Sequence, residues 1–391
     1  MGLAVLDFAA DFGSVVGLKV AWLFEYPTLL GGERSLLATL PCLRQADIEP
    51  VALAPPDGPL AEALAGCGIE HRSFDVHARD QAMSREQLRQ ELRSLLEDLR
   101  PALLHANSLS MGRLSGAVVE AAGIPSIAHL RDVVGLSAAA VADLNRHARL
   151  LAVSQATREF HLKQGICAER TQVCYNGVDL NVFCPLARTG WLHRKLGLPE
   201  DLVLAASIGQ VVMRKGHDVL VRAAARVKDR LPVLHWLVVG ERHSQKAEAV
   251  EYEASLHASI EAAGLARRSH FLGTIDHVER VLPEVTLLVH PARQEPLGRV
   301  LLEAAASGVA CIATDVGGTS EIFPEATMAR LVPPNDDYSL AKAMVQLIES
   351  PAERQAMGCS ARRRMEETFG VEQAARALAG HYRQVGAGHG A

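Results

Sequence analysis

The chain has 391 residues, of which 49% are hydrophobic. Because this length exceeds that of one ordinary core, we expect two domains of about 100 to 200 residues each. The 40 basic and 45 acidic residues leave a formal net charge of −5, which offers no attractive field for nucleic acid and argues against a nucleic-acid partner.

The first 17 residues are apolar, but they carry Asp7 and Asp11 and lack a basic start. We therefore interpret them as an extension rather than a signal peptide. No uncharged apolar run of about 18 residues occurs, so no membrane-spanning segment is expected. The seven cysteines include no Cys-x-x-Cys pair, which favours free thiols in the cytoplasm. Peripheral contact with the inner face of a membrane stays open.

Strand-like and helix-like segments alternate along the first half, a pattern typical of doubly wound parallel sheets. Gly31 and Gly32 are predicted to form a turn after the first strand, and a helix is predicted over residues 33–45. A charged amphipathic segment covers residues 84–100. The predicted strands of this half cover residues 18–24, 51–56, 101–107, 126–129 and 149–153.

A second set of short apolar runs begins after residue 201 and predicts a second sheet. Its predicted strands cover residues 202–209, 235–240, 269–273, 286–290, 309–314 and 330–334. Segment 184–201, which is broken by Pro and Gly, is interpreted as the linker between the two sets. The last predicted helix is amphipathic and covers residues 371–384.

The segment after the strand at 286–290 is the most informative part of the chain. A loop carries Glu295 and Gly298, and an apolar helix over residues 300–306 carries Glu303. Unpaired N–H groups at the start of a helix attract anions and sugar oxygens. Two carboxylates directed at one crevice can accept hydrogen bonds from pairs of hydroxyls, as in a ribose or a hexose.

Two loops near predicted helix starts are candidates for binding phosphate. Gly31 and Gly32 expose backbone amides with no Cβ in the way, although such a pair is more often a simple turn. Arg214 and Lys215 precede a helix predicted to start near His217, where two cations can clamp a diphosphate. Simple solvent exposure is the alternative interpretation of the two cations.

These motifs together resemble glycosyltransferase family 4, over most of residues 18–385. Glu295 and Glu303 match the E-x7-E signature of this family, and Lys215-Gly216 match its K-G pair. The Asn-Gly-Val-Asp run that starts at Asn176 is similar to another family block. Two departures stand out: Gln210 lies where most relatives have Arg, and Glu33-Arg34 follow the glycine pair directly.

The resemblance implies an α/β protein of the GT-B fold, in which two Rossmann-like doubly wound parallel-sheet domains face each other across a cleft. Residues 1–17 would be an N-terminal extension and residues 18–188 the acceptor-side domain. Residues 189–368 would form the domain that binds the nucleotide sugar. Residues 369–391 would contain a helix that crosses back to the N-terminal domain, and a tail.

The resemblance also implies roles for individual residues. Lys215 and Arg214 would stabilise the leaving diphosphate, and Glu295 would hold the transferred sugar. Asn107, Ser154 and Asn176 are assigned an acceptor-binding or structural role. The predicted donor-binding residues are Gly31, Gly32, Gly209, Gln210, Gly273, Leu297, Gly298, Val300 and Glu303.

The position of the family's catalytic histidine stays open between two residues. After Gly123-Ile124-Pro125, Arg131 and Asp132 fall where relatives have His-Asp. His129 precedes Arg131 by two residues and so lies on the same face of a predicted strand. Either His129 or Arg131 could contact the transferred sugar.

The implied function is a retaining transferase that moves a hexose from a nucleotide-diphosphate sugar, with UDP as the first candidate, to a hydroxyl of a sugar, lipid or small-molecule acceptor. No Asp-x-Asp occurs, so we expect no metal and no cofactor. An epimerase or hydrolase on the same fold stays open, as does an inactive nucleotide-sugar binder, which the Gln210 and Arg131 departures suggest. A nicotinamide-dependent dehydrogenase is disfavoured because no G-x-G-x-x-G follows a predicted first strand.

Overall fold

The structure is a computed structural model that describes residues 17–77 and 83–387. Residues 1–16 of the predicted N-terminal extension lie outside the described residues. The strands are β1 (Leu18–Leu23), β2 (Ile48–Ala54), β3 (Glu70–Ser73), β4 (Leu103–Ala106), β5 (Ser126–Leu130), β6 (Arg149–Ala152), β7 (Thr171–Val173), β8 (Val203–Ile208), β9 (Leu234–Val239), β10 (Ser269–Phe271), β11 (Leu287–His290), β12 (Cys311–Thr314) and β13 (Arg330–Val332).

Helices separate most of these strands, as the alternating pattern predicts. They are α1 (Gly31–Ala38), α2 (Leu40–Gln45), α3 (Pro59–Gly66), α4 (Arg85–Leu99), α5 (Leu109–Ala122), α6 (Ala138–Leu144), α7 (Gln155–Leu162), α8 (Trp191–Leu196), α9 (His217–Val227), α10 (Ala247–Ala262), α11 (Val278–Val281), α12 (Arg299–Ala306), α13 (Thr319–Ile322), α14 (Asp337–Glu349), α15 (Pro351–Arg364) and α16 (Val371–Ala387). No helix in the described parts of the chain is long and apolar enough to cross a membrane.

The strands form two separate parallel sheets. The first has seven strands in the order β3-β2-β1-β4-β5-β6-β7, and the second has six in the order β10-β9-β8-β11-β12-β13. The predicted fold class, two doubly wound parallel sheets, is therefore confirmed. In each sheet the strand order reverses beside the first strand, between β1 and β4 and between β8 and β11. Loops diverge at such a reversal and leave a crevice at the carboxyl ends of the strands.

Both faces of each sheet are buried beneath helices, which explains why the central strands read as continuous apolar runs. One face of the first sheet packs against α16, where Leu378 and Tyr382 join a cluster with Val20 and Trp22 of β1. Helix α16, the last helix of the described chain, thus covers the sheet that the N-terminal part of the chain forms. The domain boundaries at residues 188 and 368 stay predictions.

Local details differ from the sequence predictions in five places. The helix predicted over residues 33–45 is two helices, α1 and α2, because Pro41 has no N–H to donate and Thr39 bonds its hydroxyl back to Leu36 O at 2.6 Å. Gly31 and Gly32 are the first residues of α1 rather than a turn before it. The edge strands β3 and β7 were not predicted, and helix α8 lies inside the predicted linker.

Candidate active site

A cleft of about 750 Å³ lies between the two sheets and is lined by loops from both. Most of the residues predicted from the sequence lie in its wall. These are Gly31, Gly32, Asn107, Arg131, Asn176, Gly209, Gln210, Arg214, Lys215, Glu295, Leu297, Gly298, Val300 and Glu303. Three predicted site residues, His129, Ser154 and Gly273, are outside this lining.

Lys215 and Glu295 form an ion pair in the cleft, with Nζ 2.5 Å from Oε2. His290 Nε2 also lies 2.9 Å from Oε2 of Glu295. Burial opposes ionisation of Glu295, but the Lys215 ammonium and the His290 hydrogen bond outweigh it and hold the pKa of Glu295 well below its usual range. Glu295 is therefore a buried carboxylate at neutral pH.

Gly216 allows the turn that carries Lys215 to reach the Glu295 loop. Its φ is +69°, and a Cβ at this position would lie 1.9 Å from the Pro291 carbonyl oxygen. Only glycine adopts this conformation without strain at so close an approach. The Lys-Gly pair seen in the sequence thus has a physical reason, because the glycine brings the cation to the carboxylate.

Glu303 forms the second charge pair, with a residue that the sequence analysis missed. Arg299 is the first residue of α12, and its Nε donates to Glu303 Oε1 at 2.6 Å. A second Arg299 nitrogen, Nη1, lies 3.4 Å from Gly31 O of the other half. The four-residue spacing was the available signal, although the helix predicted over residues 300–306 begins one residue after Arg299.

Arg131 follows β5 and reaches the cleft from the first half. It makes no ion pair among the described residues, and its guanidinium is held by neutral oxygens. Asn107 Oδ1 accepts from Nη2 at 2.9 Å, and Asn176 Oδ1 accepts from Nη1 at 2.8 Å. Burial lowers the pKa of Arg131 to about 10, so it stays charged at neutral pH.

Arg131 is also packed beneath the start of α1. A Cβ on Gly32 would lie 3.1 Å from Arg131 Cδ, so any larger residue would press on the arginine side chain. Asn107 and Asn176, for which acceptor and structural roles were both open, contact Arg131 in this structure. They hold the cation without neutralising it.

His129 lies behind Arg131 in the core. Its Nδ1 is 2.9 Å from His105 Nε2 and 3.2 Å from Arg131 Nη2, and its Nε2 has no partner among the described residues. Burial holds the pKa of His129 well below its usual range, so the ring is neutral. Of the two candidates for the histidine position, Arg131 lines the cleft and His129 does not.

Ser154 lies at a contact between the two halves. Its Oγ donates to the Pro296 carbonyl at 2.5 Å, and the Thr157 hydroxyl donates to the same oxygen at 3.1 Å. From the second half, Glu321 accepts from the backbone N–H groups of Gln155 at 2.7 Å and Ala156 at 2.8 Å. These contacts fix the loop after Glu295 against the start of α7.

Gly273 has a backbone role beside the cleft. Its carbonyl accepts from Gly240 N at 2.8 Å and so ties the loop after β10 to the loop after β9. The next residue, Thr274, lines the cleft. Gly273 therefore supports the cleft wall without forming part of it.

The wall on the first half contains polar residues that the sequence analysis did not assign, among them Glu25, Tyr26 and Asp132. Glu25 Oε2 accepts from Ser108 Oγ at 2.9 Å. Burial and the neighbouring Glu25 raise the pKa of Tyr26 to about 12, so its hydroxyl stays protonated. Burial raises the pKa of Asp132, against the opposing effect of Arg214. The position of Glu25 and Tyr26 just after the first strand was the available signal.

Comparisons with known proteins match both halves of the chain. The family model described as Glycosyl transferases group 1 matches residues 191–364, and that of Glycosyltransferase Family 4 matches residues 30–182. The lipopolysaccharide core biosynthesis mannosyltransferase LpcC of Rhizobium leguminosarum bv. viciae is 32% identical over 213 residues, which are 54% of this chain and 59% of that protein. The D-inositol 3-phosphate glycosyltransferase of Thermobifida fusca is 31% identical over 199 residues, which are 50% of this chain and 46% of that protein. The matched region thus spans about half the length of these relatives.

A solved structure extends the comparison to almost the whole chain. The crystal structure of Anabaena Alr3699/HepE in complex with UDP-glucose superposes with a TM-score of 0.83. The superposition covers 94% of this chain and 99% of that one, at 22% sequence identity. At this identity the likeness concerns the fold.

Proposed function

Because this chain belongs to glycosyltransferase family 4 and has the two-domain GT-B fold, we propose that it transfers a hexose from a nucleoside diphosphate sugar to an acceptor hydroxyl, with retention at the anomeric carbon. One observation carries this proposal: a single cleft collects cations from both halves together with two buried carboxylates. The cations are Arg131, Arg214, Lys215 and Arg299, and the carboxylates are Glu295 and Glu303.

The cations match the charge of a diphosphate leaving group. Arg131 and Arg214 have no carboxylate partner among the described residues, so their charges are available to an anion. Lys215 can turn from Glu295 toward the diphosphate when the donor enters. Fixed positive groups aimed at charge that grows in the transition state lower the barrier strongly. We therefore propose that the leaving group is stabilised without a metal or another cofactor.

The two carboxylates match the hydroxyls of the donor. Glu303 on α12 would accept from both ribose hydroxyls, and Glu295 would accept from the hexose. Backbone amides of Leu297 and Gly298, at the start of α12, add donors at the positive end of the helix. UDP is proposed as the first candidate for the nucleotide, ahead of GDP and ADP.

The bond changes follow from retention and from the groups present. The acceptor oxygen attacks the anomeric carbon from the face that the diphosphate leaves, as the bond from that carbon to the phosphate oxygen breaks. The proton of the acceptor hydroxyl passes to the departing phosphate oxygen, so no other reactant is needed. We assign contact with the transferred sugar to Arg131, since His129 is neutral and outside the cleft wall.

The acceptor side of the proposal concerns the wall formed by Glu25, Tyr26 and Asp132. Carboxylates and a protonated phenol can hydrogen-bond the hydroxyls of a sugar or of the sugar part of a lipid. Like-charge repulsion makes this wall a poor site for a phosphorylated acceptor. The cysteine usage supports a cytoplasmic location, and peripheral contact with the inner face of a membrane belongs to the same proposal.

Thermal unfolding in the presence of ligands tests the donor assignment. UDP, GDP, ADP and their hexose conjugates are compared in buffer that contains excess chelator. A ligand at 100 times its dissociation constant adds about 2.7 kcal/mol to stability. We expect the largest rise in melting temperature with UDP and its sugars. No rise with any nucleotide would contradict nucleotide-sugar binding.

Turnover with the best donor then separates the alternatives. A transferase releases nucleoside diphosphate faster when sugar acceptors are added, and proton NMR of the product shows the anomeric configuration of the donor. A hydrolase releases it at the same rate with or without acceptor, and an epimerase changes the donor sugar without releasing it. An inactive binder shows the thermal shift and no turnover. An activity that chelator abolishes and manganese or magnesium restores contradicts metal independence.

A further inference from the structure

A row of buried polar groups connects the last helix to Arg131. Trp22 Nε1 lies 3.0 Å from the Tyr382 hydroxyl, which lies 2.6 Å from His105 Nδ1. His105 Nε2 lies 2.9 Å from His129 Nδ1, and Arg131 Nη2 lies 3.2 Å from that same nitrogen. The first four side chains are at most 3% exposed, so water cannot replace these contacts. The proposed reaction uses Arg131, at one end of this row, and none of the other four side chains.

The sheet places these residues in line. Trp22 of β1 is the register partner of His105 on β4, and His105 is the register partner of Ile127 on β5. Side chains alternate along a strand, so His129 projects from the same face as Ile127. Arg131 continues this alternation just past the end of β5. Helix α16 covers the face and adds Tyr382 from above.

The two ends of the row fix the direction of its hydrogen bonds. Indole and guanidinium groups only donate. Tyr382 oxygen therefore accepts from Trp22, and its O–H donates to His105 Nδ1. His105 then carries its proton on Nε2 and donates to His129 Nδ1, whose lone pair also faces Arg131.

Each direction leaves one buried donor without a partner: the Nε2–H of His129 in the first direction and the Tyr382 O–H in the opposite one. The opposite direction also turns an N–H of His129 against the Arg131 guanidinium, which can only donate. The first direction is preferred because it lacks this contact between two donors. Burial holds the pKa of both histidines well below their usual range and the pKa of Tyr382 well above its own, so all three groups are neutral.

We propose that Tyr382 and His105 are positioning residues for Arg131. They set the tautomer of His129, so that the ring presents a lone pair to the guanidinium and holds it toward the cleft. All partners in this row are neutral, so Arg131 keeps its positive charge for an anionic ligand. The part of this proposal that concerns turnover rests on the proposed function. The last helix thereby takes part in building the site on the first sheet.

Tyr382→Phe is the direct test, because it removes the hydroxyl and keeps the ring by which α16 packs against the first sheet. Mispositioning of a group that acts in the transition state lowers turnover by about 10- to 100-fold. We expect that loss in kcat, measured as release of nucleoside diphosphate. Binding of the free nucleoside diphosphate, measured by calorimetry, should change by less than about twofold.

Trp22→Phe is the matched control. It removes a hydrogen bond from the same hydroxyl and leaves a void in the same core, but Tyr382 can still donate to His105. We expect a lower melting temperature with kcat within about twofold of the wild type. If Trp22→Phe loses as much kcat as Tyr382→Phe, general loosening of the core explains both and the proposal fails. It also fails if Tyr382→Phe keeps its kcat.

A second measurement needs neither a variant nor turnover. Nitrogen-15 NMR of the histidine rings distinguishes an Nδ1–H from an Nε2–H tautomer, and we expect both His105 and His129 to carry the proton on Nε2. An Nδ1–H tautomer at either ring overturns the row as drawn. If the protein binds no nucleotide sugar, the proposed function fails while the tautomers still decide the hydrogen-bond row.

Discussion

Lys215 and Arg299 in the second half of the cleft are held differently from Arg131 in the first half. In the second half, Lys215 and Arg299 are paired with the carboxylates Glu295 and Glu303 at 2.5 and 2.6 Å. In the first half, Arg131 is held by amide oxygens and an imidazole, and no carboxylate neutralises it. The charges of Lys215 and Arg299 are thus neutralised within their pairs, whereas Arg131 of the first half and Arg214 of the second have no carboxylate at ion-pair distance among the described residues.

We propose that the two glutamates that match the family signature have two tasks. They hold Lys215 and Arg299 in place through ion pairs, and they would accept hydrogen bonds from sugar hydroxyls. A paired cation in a low-dielectric site keeps its geometry. A carboxylate beside Arg131 would cancel its electrostatic field, and neutral contacts hold this arginine without that effect.

Removal of Lys215 should have the largest effect. Lys215→Ala removes the proposed charge partner of the leaving group, and we expect turnover to fall by about 100- to 1,000-fold. It also leaves Glu295 buried without its cation, so the melting temperature should fall as well. Turnover at saturating donor and thermal unfolding are measured together.

The double variant Lys215→Ala/Glu295→Gln separates the two consequences. Replacing both partners removes the unpaired charge, so part of the lost stability should return while turnover stays low. Near-normal turnover in Lys215→Ala would remove this residue from the leaving-group role.

The two carboxylates should differ in which ligand they bind. Charge-assisted hydrogen bonds contribute about 1.5 to 3 kcal/mol each, so Glu303→Ala should weaken both the free nucleoside diphosphate and the donor by about 10- to 100-fold. Glu295→Ala should weaken only the sugar-bearing donor, because it frees Lys215 to bind the diphosphate. Calorimetric titration of both variants with both ligands tests this. The reverse pattern would exchange the two assignments.

Acid should destabilise the protein in two pH ranges, first through buried neutral histidines of both halves and then through Glu295. Burial lowers the pKa of His129 and of His105 in the folded protein. Below about pH 6.5, the pKa of a histidine in the unfolded chain, the unfolded chain binds protons that the folded protein does not. The free energy of unfolding therefore falls as pH falls below that value. Glu295 also has a lowered pKa, but its unfolded value is about 4.3, so its contribution is lost only below that pH.

Hydrogen exchange at a series of pH values measures this order. On acidification from neutral pH, amides near the buried histidines of both halves, such as those of β5 and of the start of α9, should lose protection as pH falls below about 6.5. A further loss around Glu295 should follow below about pH 4.3, and Glu295→Gln should remove this second loss and leave the first unchanged. Loss of protection in a single step would show that another group controls acid unfolding.

The smallest effect is expected at the contact between the halves. Glu321→Gln keeps one acceptor for the start of α7 but loses the negative charge at that helix end, and such changes cost about 0.5 to 2 kcal/mol. We expect donor KM to rise by about two- to fivefold with little change in melting temperature.

Tyr175→Phe is the comparison variant, because it removes the hydroxyl that donates to Glu321. It should have a similar or smaller effect on donor KM. An unchanged KM in both would show that this contact does not position the Pro296 loop.

The sequence by itself determined the architecture and most of the cleft. Apolar runs bounded by Gly and Pro identify the central strands because both faces of those strands are buried, and their position fixes which loops face the cleft. The motifs around Lys215, Glu295 and Glu303 are local, so their spacing was readable. Edge strands β3 and β7 were missed because they are short and partly exposed.

Only the tertiary structure decided which side chains meet. Lys215 and Glu295 are 80 residues apart in the chain, and His105 and Tyr382 are 277 apart, so no local pattern reports their contact. The sequence also could not decide between His129 and Arg131, because residues two apart in a strand project from the same face. What separates them is that β5 ends between them, with helix α16 covering the histidine and the cleft opening beside the arginine.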